Sequence, residues 1–335
     1  MANYKGIQGF YIQSRDGDPD NPIIGDMYYN TSSGKFRAVT DGMPAASWSS
    51  GTALNEGRYN LGTASQGSST AGLAFGGEDW AGSTTTVTST ESYNGTAWTE
   101  VNELNAARRN MSSFGVQTSS ICAAGRNGSP TTDAVESWDG TNWTEVAEVN
   151  TGNTYRVGIG VSNTSGLIAG GPPNATVTET WNGSAWTEVN ELNTGRYGNA
   201  GSGIITAGLF IGGSDPGAPG GMANVEKWNG TSWSEEADLN ATEAWGGSGG
   251  GASTAIYMGG SPPTARTEYY DGTSWTEVAD LGTGRRSAKG CGPAGTTADG
   301  AMLIGGDGYP ANPAGMTNVE EWSQSITAIK TVTTS

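Results

Sequence analysis

Residues 91–100 read ESYNGTAWTE, and this ten-residue stretch recurs along the chain with few changes. The further copies span residues 136–145, 179–188, 226–235 and 268–277. Each copy holds a Glu, then an aromatic residue, Asn-Gly or Asp-Gly, a Trp and a second Glu. This order predicts a β-hairpin in which a two-residue Asn-Gly or Asp-Gly turn joins an aromatic strand to a strand that begins with Trp. The chain is therefore a repeat protein built from strands.

A pair of small residues ends a short apolar strand before each hairpin. Because these residues carry little or no side chain, we expect two backbones to approach each other closely at each pair. The pairs are Gly76-Gly77, Ala124-Gly125, Gly170-Gly171, Gly212-Gly213, Gly259-Gly260 and Gly305-Gly306.

An arginine follows most of the repeat tryptophans by ten residues, as in Trp98 and Arg108. The third unit has Arg156 slightly late, and the fifth has Glu243 at this position. The order of small pair, aromatic residue with turn, Trp and Arg resembles the kelch repeat over about residues 48–323. The repeat tryptophans stand 42 to 50 residues apart, which is the length of one four-stranded propeller blade. They are Trp48, Trp98, Trp143, Trp186, Trp233 and Trp275.

The resemblance implies an all-β fold, a six-bladed β-propeller of kelch-like four-stranded blades. The last copy, Val319 to Trp322, lacks its turn and second Trp, whereas Phe36 to Trp48 reads as a hairpin with no small pair before it. We therefore expect the strand around Trp48 to complete the sixth blade, so that N- and C-terminal strands close the ring and hide their edges. The predicted domains are an N-terminal anchoring segment with a β-hairpin, residues 1–35, and the propeller, residues 36–335.

Composition excludes several functions. A net charge of −17 would repel phosphate backbones, so we expect no nucleic-acid partner. The absence of histidine removes the commonest general base and metal ligand, and the two cysteines provide no zinc cluster. Asp16, Asp18 and Asp20 alternate as in a calcium loop but lack its later Gly and Glu. We predict no catalytic residue, no metal and no cofactor.

Repetition also assigns structural roles to most aromatic and charged residues. Ten of the 12 tryptophans occupy repeat positions, where we expect them to pack between blades. A Glu recurs once per blade, as do most of the arginines, so we expect ion pairs rather than a catalytic group, which is normally unique. Trp80 and Trp245 lie outside the repeat pattern and are candidates for recognition.

The loops that follow the small pairs differ in length and chemistry, whereas the hairpin turns on the opposite face are nearly identical. We call the face that carries these variable loops the loop face. Variation on a repeated scaffold is where binding specificity resides. The predicted contact residues are Asp79, Trp80, Arg126, Asn127, Asp215, Trp245, Arg266, Asp307 and Tyr309.

The N-terminal residues differ from the repeats. Residues 25–31 with Gly34, Lys35 and Phe36 form a strand-turn-strand pattern that resembles a segment of bacteriophage tail-fibre and other virion proteins. No apolar stretch of signal-peptide or membrane-spanning length occurs, so we expect neither export nor membrane insertion. A virion protein, made in the host cytoplasm and released by lysis, reconciles an extracellular type of composition with the missing export signal.

The leading hypothesis is a non-enzymatic phage structural protein whose propeller binds the host surface or neighbouring virion proteins. Its expected partners are other virion proteins and a host cell-surface glycan or protein. The alternatives are a cellular kelch scaffold that binds protein and, third, a glycan-active enzyme that uses carboxylates.

Overall fold

The computed structural model describes residues 13–17, 26–40, 46–80, 84–173, 175–217, 220–294, 298–310, 314–324 and 328–331. Within these ranges the regular structure consists of 30 β-strands. Asp18, Asp20 and the side chain of Trp80 lie outside the described residues. No helix of the described residues is long and apolar enough to cross a membrane.

The strands follow one another along the chain with short connections. The first ten are β1 (Gln13–Arg15), β2 (Met27–Asn30), β3 (Lys35–Thr40), β4 (Ala46–Ser50), β5 (Gly62–Thr63), β6 (Gly72–Phe75), β7 (Glu78–Trp80), β8 (Thr84–Thr86), β9 (Thr90–Tyr93) and β10 (Trp98–Val101). The next ten are β11 (Ser112–Val116), β12 (Ser119–Ala123), β13 (Val135–Trp138), β14 (Trp143–Val146), β15 (Val157–Ser162), β16 (Ser165–Ala169), β17 (Thr178–Trp181), β18 (Trp186–Val189), β19 (Ala200–Ile204) and β20 (Ala207–Ile211). The last ten are β21 (Val225–Trp228), β22 (Trp233–Glu235), β23 (Gly247–Gly250), β24 (Ala255–Met258), β25 (Thr267–Tyr270), β26 (Trp275–Glu277), β27 (Lys289–Cys291), β28 (Met302–Ile304), β29 (Val319–Gln324) and β30 (Ala328–Thr331).

The chain divides into two compact units, residues 1–46 with 324–335 and residues 47–323. The smaller unit holds one sheet in the order β1-β2-β3-β30. β2 and β3 pair antiparallel across the turn at residues 31–34, which is the predicted strand-turn-strand. The expected hairpin between Phe36–Thr40 and the Trp48 strand does not form, because β3 pairs with β2 and β30 instead.

The larger unit is a series of four-stranded antiparallel sheets. In chain order they are β5-β6-β9-β10, β11 to β14, β15 to β18, β19 to β22, β23 to β26, and β27-β28-β29-β4, which we call the first to sixth sheets. A small sheet of β7 and β8 accompanies them. The Trp48 strand β4 thus lies beside β29 in the sixth sheet, as the sequence predicted.

The sheets succeed one another in a circle. The innermost strand of each sheet contacts that of the next, in the order β5, β11, β15, β19, β23 and β27, and β27 contacts β5. Apolar side chains fill the spaces between neighbouring sheets. Phe75 of the first sheet, for example, meets Trp143 of the second with 4.8 Å between ring centroids. This is the arrangement of a β-propeller, in which large aromatic residues supply most of the burial between sheets.

The hairpin turns differ by one residue from the prediction. Tyr93 pairs with Trp98, and Asn94 N–H donates to the Ala97 carbonyl at 3.3 Å, so the turn residues are Gly95 and Thr96. Gly95 has a φ of +87°, which suits glycine at the first position of such a turn. Asn94 Oδ1 accepts hydrogen bonds from the N–H groups of Thr96 and Ala97, both at 3.0 Å. The amide side chain therefore caps the turn rather than forming it.

The small pairs make the predicted close approaches. A Cβ added to Gly76 would lie 2.7 Å from the Arg108 carbonyl oxygen, and one added to Gly305 would lie 2.4 Å from that of Arg58. Gly77 N–H donates to the same Arg108 carbonyl at 2.9 Å. Small residues are needed because each pair packs directly on the backbone of a neighbouring repeat. Four pairs meet the residue that carries the repeat arginine, whereas Gly125 meets Asn153 and Gly213 meets Glu243.

The repeat charges form the expected ion pairs, and both partners are buried. Arg196 Nη2 lies 3.1 Å from Glu226 Oε1, and Arg156 Nη1 lies 2.7 Å from Glu179 Oε1. The remaining pairs are Arg58 with Glu91, Arg108 with Glu136 and Arg285 with Glu320. These contacts satisfy charges that would otherwise be costly to bury.

Candidate functional site

A closed circuit of backbone hydrogen bonds surrounds the centre of the larger unit. Its members stand just before the innermost strand of each sheet, and each N–H donates to the carbonyl of the member before it at 2.7 to 3.2 Å. Every member has a positive φ, between +54° and +63°. In chain order they are Asn60, Asn110, Tyr155, Gly198, Trp245 and Ser287, and we call them the axial ring.

Two members of the axial ring are large aromatic residues in a left-handed backbone conformation. Such a conformation is uncommon for bulky residues and concentrates at functional positions. Tyr155 and Trp245 meet edge to face with 4.9 Å between ring centroids. Tyr197 completes the group, at 6.1 Å from Tyr155 and 5.7 Å from Trp245. An aromatic cluster from the third, fourth and fifth sheets therefore stands at one end of the axis.

Arginines surround the same end. Arg126 donates from Nη2 to Tyr155 Oη at 2.8 Å, and its guanidinium lies 5.5 Å from the centroid of that ring. The backbones of Arg109 and Arg126 exchange hydrogen bonds of 2.9 and 3.0 Å. Burial lowers the pKa of Arg109, and the nearby charge of Arg126 lowers it further. Both guanidinium groups keep a buried Nε without a hydrogen-bond partner in the described part of the chain.

Carboxylates hold Arg109 and a third arginine, Arg286, in place. Glu78 forms an ion pair with Arg109 and accepts a hydrogen bond from Asn60 Nδ2 at 2.9 Å. Asp307, which is 3% exposed, binds Arg286 Nε at 3.1 Å. The Arg286 guanidinium in turn lies 4.8 Å from the centre of the exposed Tyr309 ring.

The three arginines and three aromatic residues form what we call the mouth cluster: Arg109, Arg126, Arg286, Tyr155, Tyr197 and Trp245. Tyr59 lies within electrostatic range of both Arg109 and Arg286. Burial and the charge of Asp307 raise the pKa of the Tyr59 hydroxyl, whereas the two arginines lower it. Three cations stand against the two carboxylates of Glu78 and Asp307. The mouth is thus locally cationic in a chain whose net charge is −17. Such a site attracts an anionic group, and its arginines and rings can bind one directly.

The structure brings some of the predicted contact residues together. Arg126 and Trp245 both contact Tyr155, and Asp307 and Tyr309 both contact Arg286. Asp307 is buried and positions an arginine, whereas Tyr309 is 52% exposed.

The other predicted contact residues stand apart from the mouth cluster. Asn127 and Asp215 are exposed, Asp79 is half-buried on β7, and Arg266 lies 3.7 Å from Glu277. Within the described residues, no hydrogen bond, ion pair or ring contact joins these four to the cluster. They stay predictions of contact with a partner.

Sequence reasoning missed Tyr59, Glu78, Arg109, Tyr155, Tyr197 and Arg286. Four of these directly follow the arginine of the repeat, at positions where residue type varies while the arginine is kept in most units. Glu78 is the residue directly after a small pair, as are Arg126 and Asp307. The sequence signal for five of the missed residues is therefore their position, because each directly follows a repeat arginine or a small pair.

The comparisons with known proteins agree on fold alone. No protein-family model matches the chain, and no curated protein matches it. Among solved structures, the chain is similar to the structure of YjhT, with a TM-score of 0.66 and 12% sequence identity. The match covers 83% of this chain and 99% of that one. At this identity the likeness shows a β-propeller fold.

Proposed function

We propose that this protein is a non-enzymatic structural component of a phage virion. In this proposal it is a six-bladed, kelch-like propeller whose loop face binds an anionic group on the host surface. The observation that carries the binding role is the mouth cluster, in which three arginines and three aromatic residues converge on the axis of an acidic protein. Arginine and large aromatic residues dominate binding energy at protein surfaces.

The chemistry of the cluster favours a carboxylate-bearing glycan. A guanidinium matches a carboxylate with two parallel N–H donors, and aromatic rings pack on the apolar faces of sugars. Because Arg109 and Arg126 are already held by Glu78 and Tyr155, little conformational freedom would be lost on binding.

The virion role is supported by the N-terminal residues. The β2–β3 hairpin belongs to a compact unit separate from the propeller, and its sequence resembles a segment of tail-fibre and other virion proteins. We propose that this unit attaches the propeller to the particle. Placement in the virion, release by lysis and attachment to neighbouring virion proteins are parts of the same proposal.

Particle composition tests the virion role. Mass spectrometry of purified particles should detect this chain at a constant ratio to the capsid protein. Its absence from particles, together with its recovery from uninfected cells, would favour a cellular kelch scaffold instead.

Binding tests the mouth cluster. The purified propeller is applied to arrays of acidic and neutral glycans and to host cells, beside the variants Arg126→Ala and Arg286→Ala. We expect binding to acidic glycans that falls at least tenfold in both variants, and Lys227→Ala serves as a matched loss of positive charge outside the cluster. Equal binding by all variants refutes the site, and selective binding to a purified virion subunit identifies a neighbouring protein as the partner. Turnover of a glycan would instead reveal an enzyme.

A further inference from the structure

Four asparagines of the chain are directly followed by glycine, and each of these pairs is followed by Ser or Thr. They are Asn94, Asn127, Asn182 and Asn229. Glycine has no side chain to shield its backbone nitrogen, so an asparagine side chain reacts most readily with the next peptide nitrogen in an Asn-Gly sequence. All four asparagines are exposed. Local sequence and access of water therefore do not distinguish the four positions, and any difference in reactivity comes from the fold.

The fold restrains three of these asparagines. Asn94, Asn182 and Asn229 each stand directly before a hairpin turn, and the Oδ1 of each accepts hydrogen bonds from the N–H groups two and three residues later, at 2.9 to 3.0 Å. Closure of a ring onto the glycine nitrogen makes Cγ tetrahedral and moves its oxygen out of this position, so both hydrogen bonds must break first. Two hydrogen bonds of ordinary strength slow such a reaction by about tenfold or more.

Asn127 has no such restraint. It directly follows Arg126 on the loop face, in the exposed stretch of residues 127–130. Its side chain makes no hydrogen bond with the described residues, and the Gly128 N–H donates to no acceptor among them. A Cβ added to Gly128 would meet nothing within 4 Å, and Asn127 lines an open cavity of about 390 Å³. The side chain of Asn127 is therefore free to turn toward the Gly128 nitrogen and has room to do so.

We propose that Asn127 is a site of spontaneous deamidation in the folded protein, whereas the three hairpin asparagines are protected. The Gly128 nitrogen attacks Cγ of Asn127 and forms a C–N bond, and the bond from Cγ to Nδ2 breaks. The proton of the Gly128 nitrogen leaves with Nδ2 as ammonia. Water then adds to one carbonyl of the cyclic imide and opens it, which yields aspartate or isoaspartate. Water is the only other reactant, and nothing is oxidised or reduced.

The product places a negative charge beside the mouth cluster. Its carboxylate directly follows Arg126, whose Nη2 donates to Tyr155 Oη at 2.8 Å within that cluster. A carboxylate at this position competes with an anionic ligand for the arginine and reduces the positive charge of the mouth. Deamidation therefore weakens the binding of acidic glycans as the protein ages. This consequence rests on the proposed function, whereas the modification itself does not.

Mass spectrometry of proteolytic peptides tests the modification on the intact wild-type chain. The folded protein is incubated in mildly alkaline buffer, and the conversion of each Asn-Gly pair is followed over time. We expect Asn127 to convert about tenfold faster than the three hairpin asparagines, or more. The matched control is the same chain unfolded in guanidinium chloride, where all four pairs should convert at similar rates because their local sequences are alike. Equal rates at the four pairs in the folded protein overturn the proposal, as does faster conversion at a hairpin pair.

Two variants separate the modification from its consequence. Asn127→Gln should remove the fast conversion and leave the slow conversion of the hairpin pairs unchanged. Asn127→Asp imitates the aspartate product and should bind acidic glycans more weakly than Asn127→Gln, which has the same charge as the wild type. Equal binding by the two variants would refute the effect on the mouth cluster. If the wild type binds no acidic glycan, the proposed function fails, and the conversion rates still decide whether Asn127 is the modified site.

Discussion

The indole rings of Trp48 and Trp322 lie 5.2 Å apart, although they are the first and the last tryptophan of the chain. Similar distances between ring centroids, 4.9 to 5.3 Å, separate the two aromatic residues of every complete repeat. Trp228 and Trp233, for example, are 5.1 Å apart. The sixth sheet thus rebuilds across two distant segments the contact that a hairpin makes locally elsewhere. Ser47 and Ser323 hydroxyls, 3.3 Å apart, add a polar contact beside it.

The Trp322 contact should therefore stabilise the whole unit. Trp322 is 1% exposed, so Trp322→Ala should lower the free energy of unfolding by about 3–5 kcal/mol. Tyr309→Ala, at a side chain 52% exposed, is the matched aromatic control and should change it by about 0.5 kcal/mol or less. Urea titrations followed by tryptophan fluorescence would measure both. Equal losses in the two variants would show that the Trp322 contact contributes nothing specific.

The third repeat shows how an ion pair survives a shift in sequence. Gly125 N–H donates to the Asn153 carbonyl, whereas in the preceding repeat Gly77 N–H donates to the Arg108 carbonyl. Asn153 therefore occupies the backbone position that the arginine has in that repeat. Arg156 arrives three residues later and still reaches Glu179 at 2.7 Å. Arg156→Met should cost about 3–5 kcal/mol because it leaves a buried carboxylate unpaired.

The control for that substitution is Lys227→Met, which breaks a partly exposed ion pair of 3.6 Å and should cost about 0–1 kcal/mol. The double variant Arg156→Met with Glu179→Gln should recover part of the loss, because no charge is then left buried. Thermal denaturation of the wild type, the two single variants and the double variant measures these differences in stability. A double variant less stable than Arg156→Met alone would contradict the explanation.

The fifth repeat carries Glu243 at the position where most of the others have arginine, and this predicts a dependence on pH. Burial raises the pKa of Glu243 from 4.5 to about 7, Arg266 opposes the rise and Glu268 adds to it. The folded state therefore binds this proton more tightly than the unfolded chain, and the free energy of unfolding should fall as pH rises from 4.5 to about 7. Glu243→Gln should make the free energy of unfolding less dependent on pH in this range.

Unfolding of the wild type and of Glu243→Gln at about pH 5 and about pH 8 measures the effect, with the variant gaining relative stability at the higher pH. Glu243→Arg is a complementary change, because it offers Glu268 the partner that the repeat glutamates have elsewhere. It should raise the melting temperature above that of the wild type at neutral pH. A constant difference between wild type and Glu243→Gln at both pH values would exclude this origin.

The close approach at the small pairs predicts a steric effect. Gly305 has a φ of +65°, and an added Cβ would stand 2.4 Å from the Arg58 carbonyl oxygen. Gly305→Ala should cost about 1–3 kcal/mol from the clash in addition to the strain of the backbone. Gly128, with a φ of +77° and nothing within 4 Å, isolates that strain. Chemical denaturation should show Gly305→Ala as clearly the less stable of the two.

Much of the fold follows from the sequence because a repeat states the same local rule several times. The spacing of Trp98 and Trp143, the turn residues and the small pairs specify strands, hairpins and the positions where backbones touch. The ion pair of Arg196 with Glu226 was also predictable, since a charge that recurs in each unit needs a partner in each unit. The turn position differed by one residue because the Asn94 side chain competes for backbone N–H groups, which a spacing rule does not describe.

The sequence by itself determined an all-β repeat protein with variable loops on one face, because hydrophobic period, turn chemistry and recurrence are local properties. Only the tertiary structure decided which variable residues meet. Arg126, Tyr155 and Trp245 belong to different sheets and converge where the sheets turn around one axis. Convergence at an axis depends on how many sheets close the circle and at what angle, which is a property of packing between sheets and not of any one repeat.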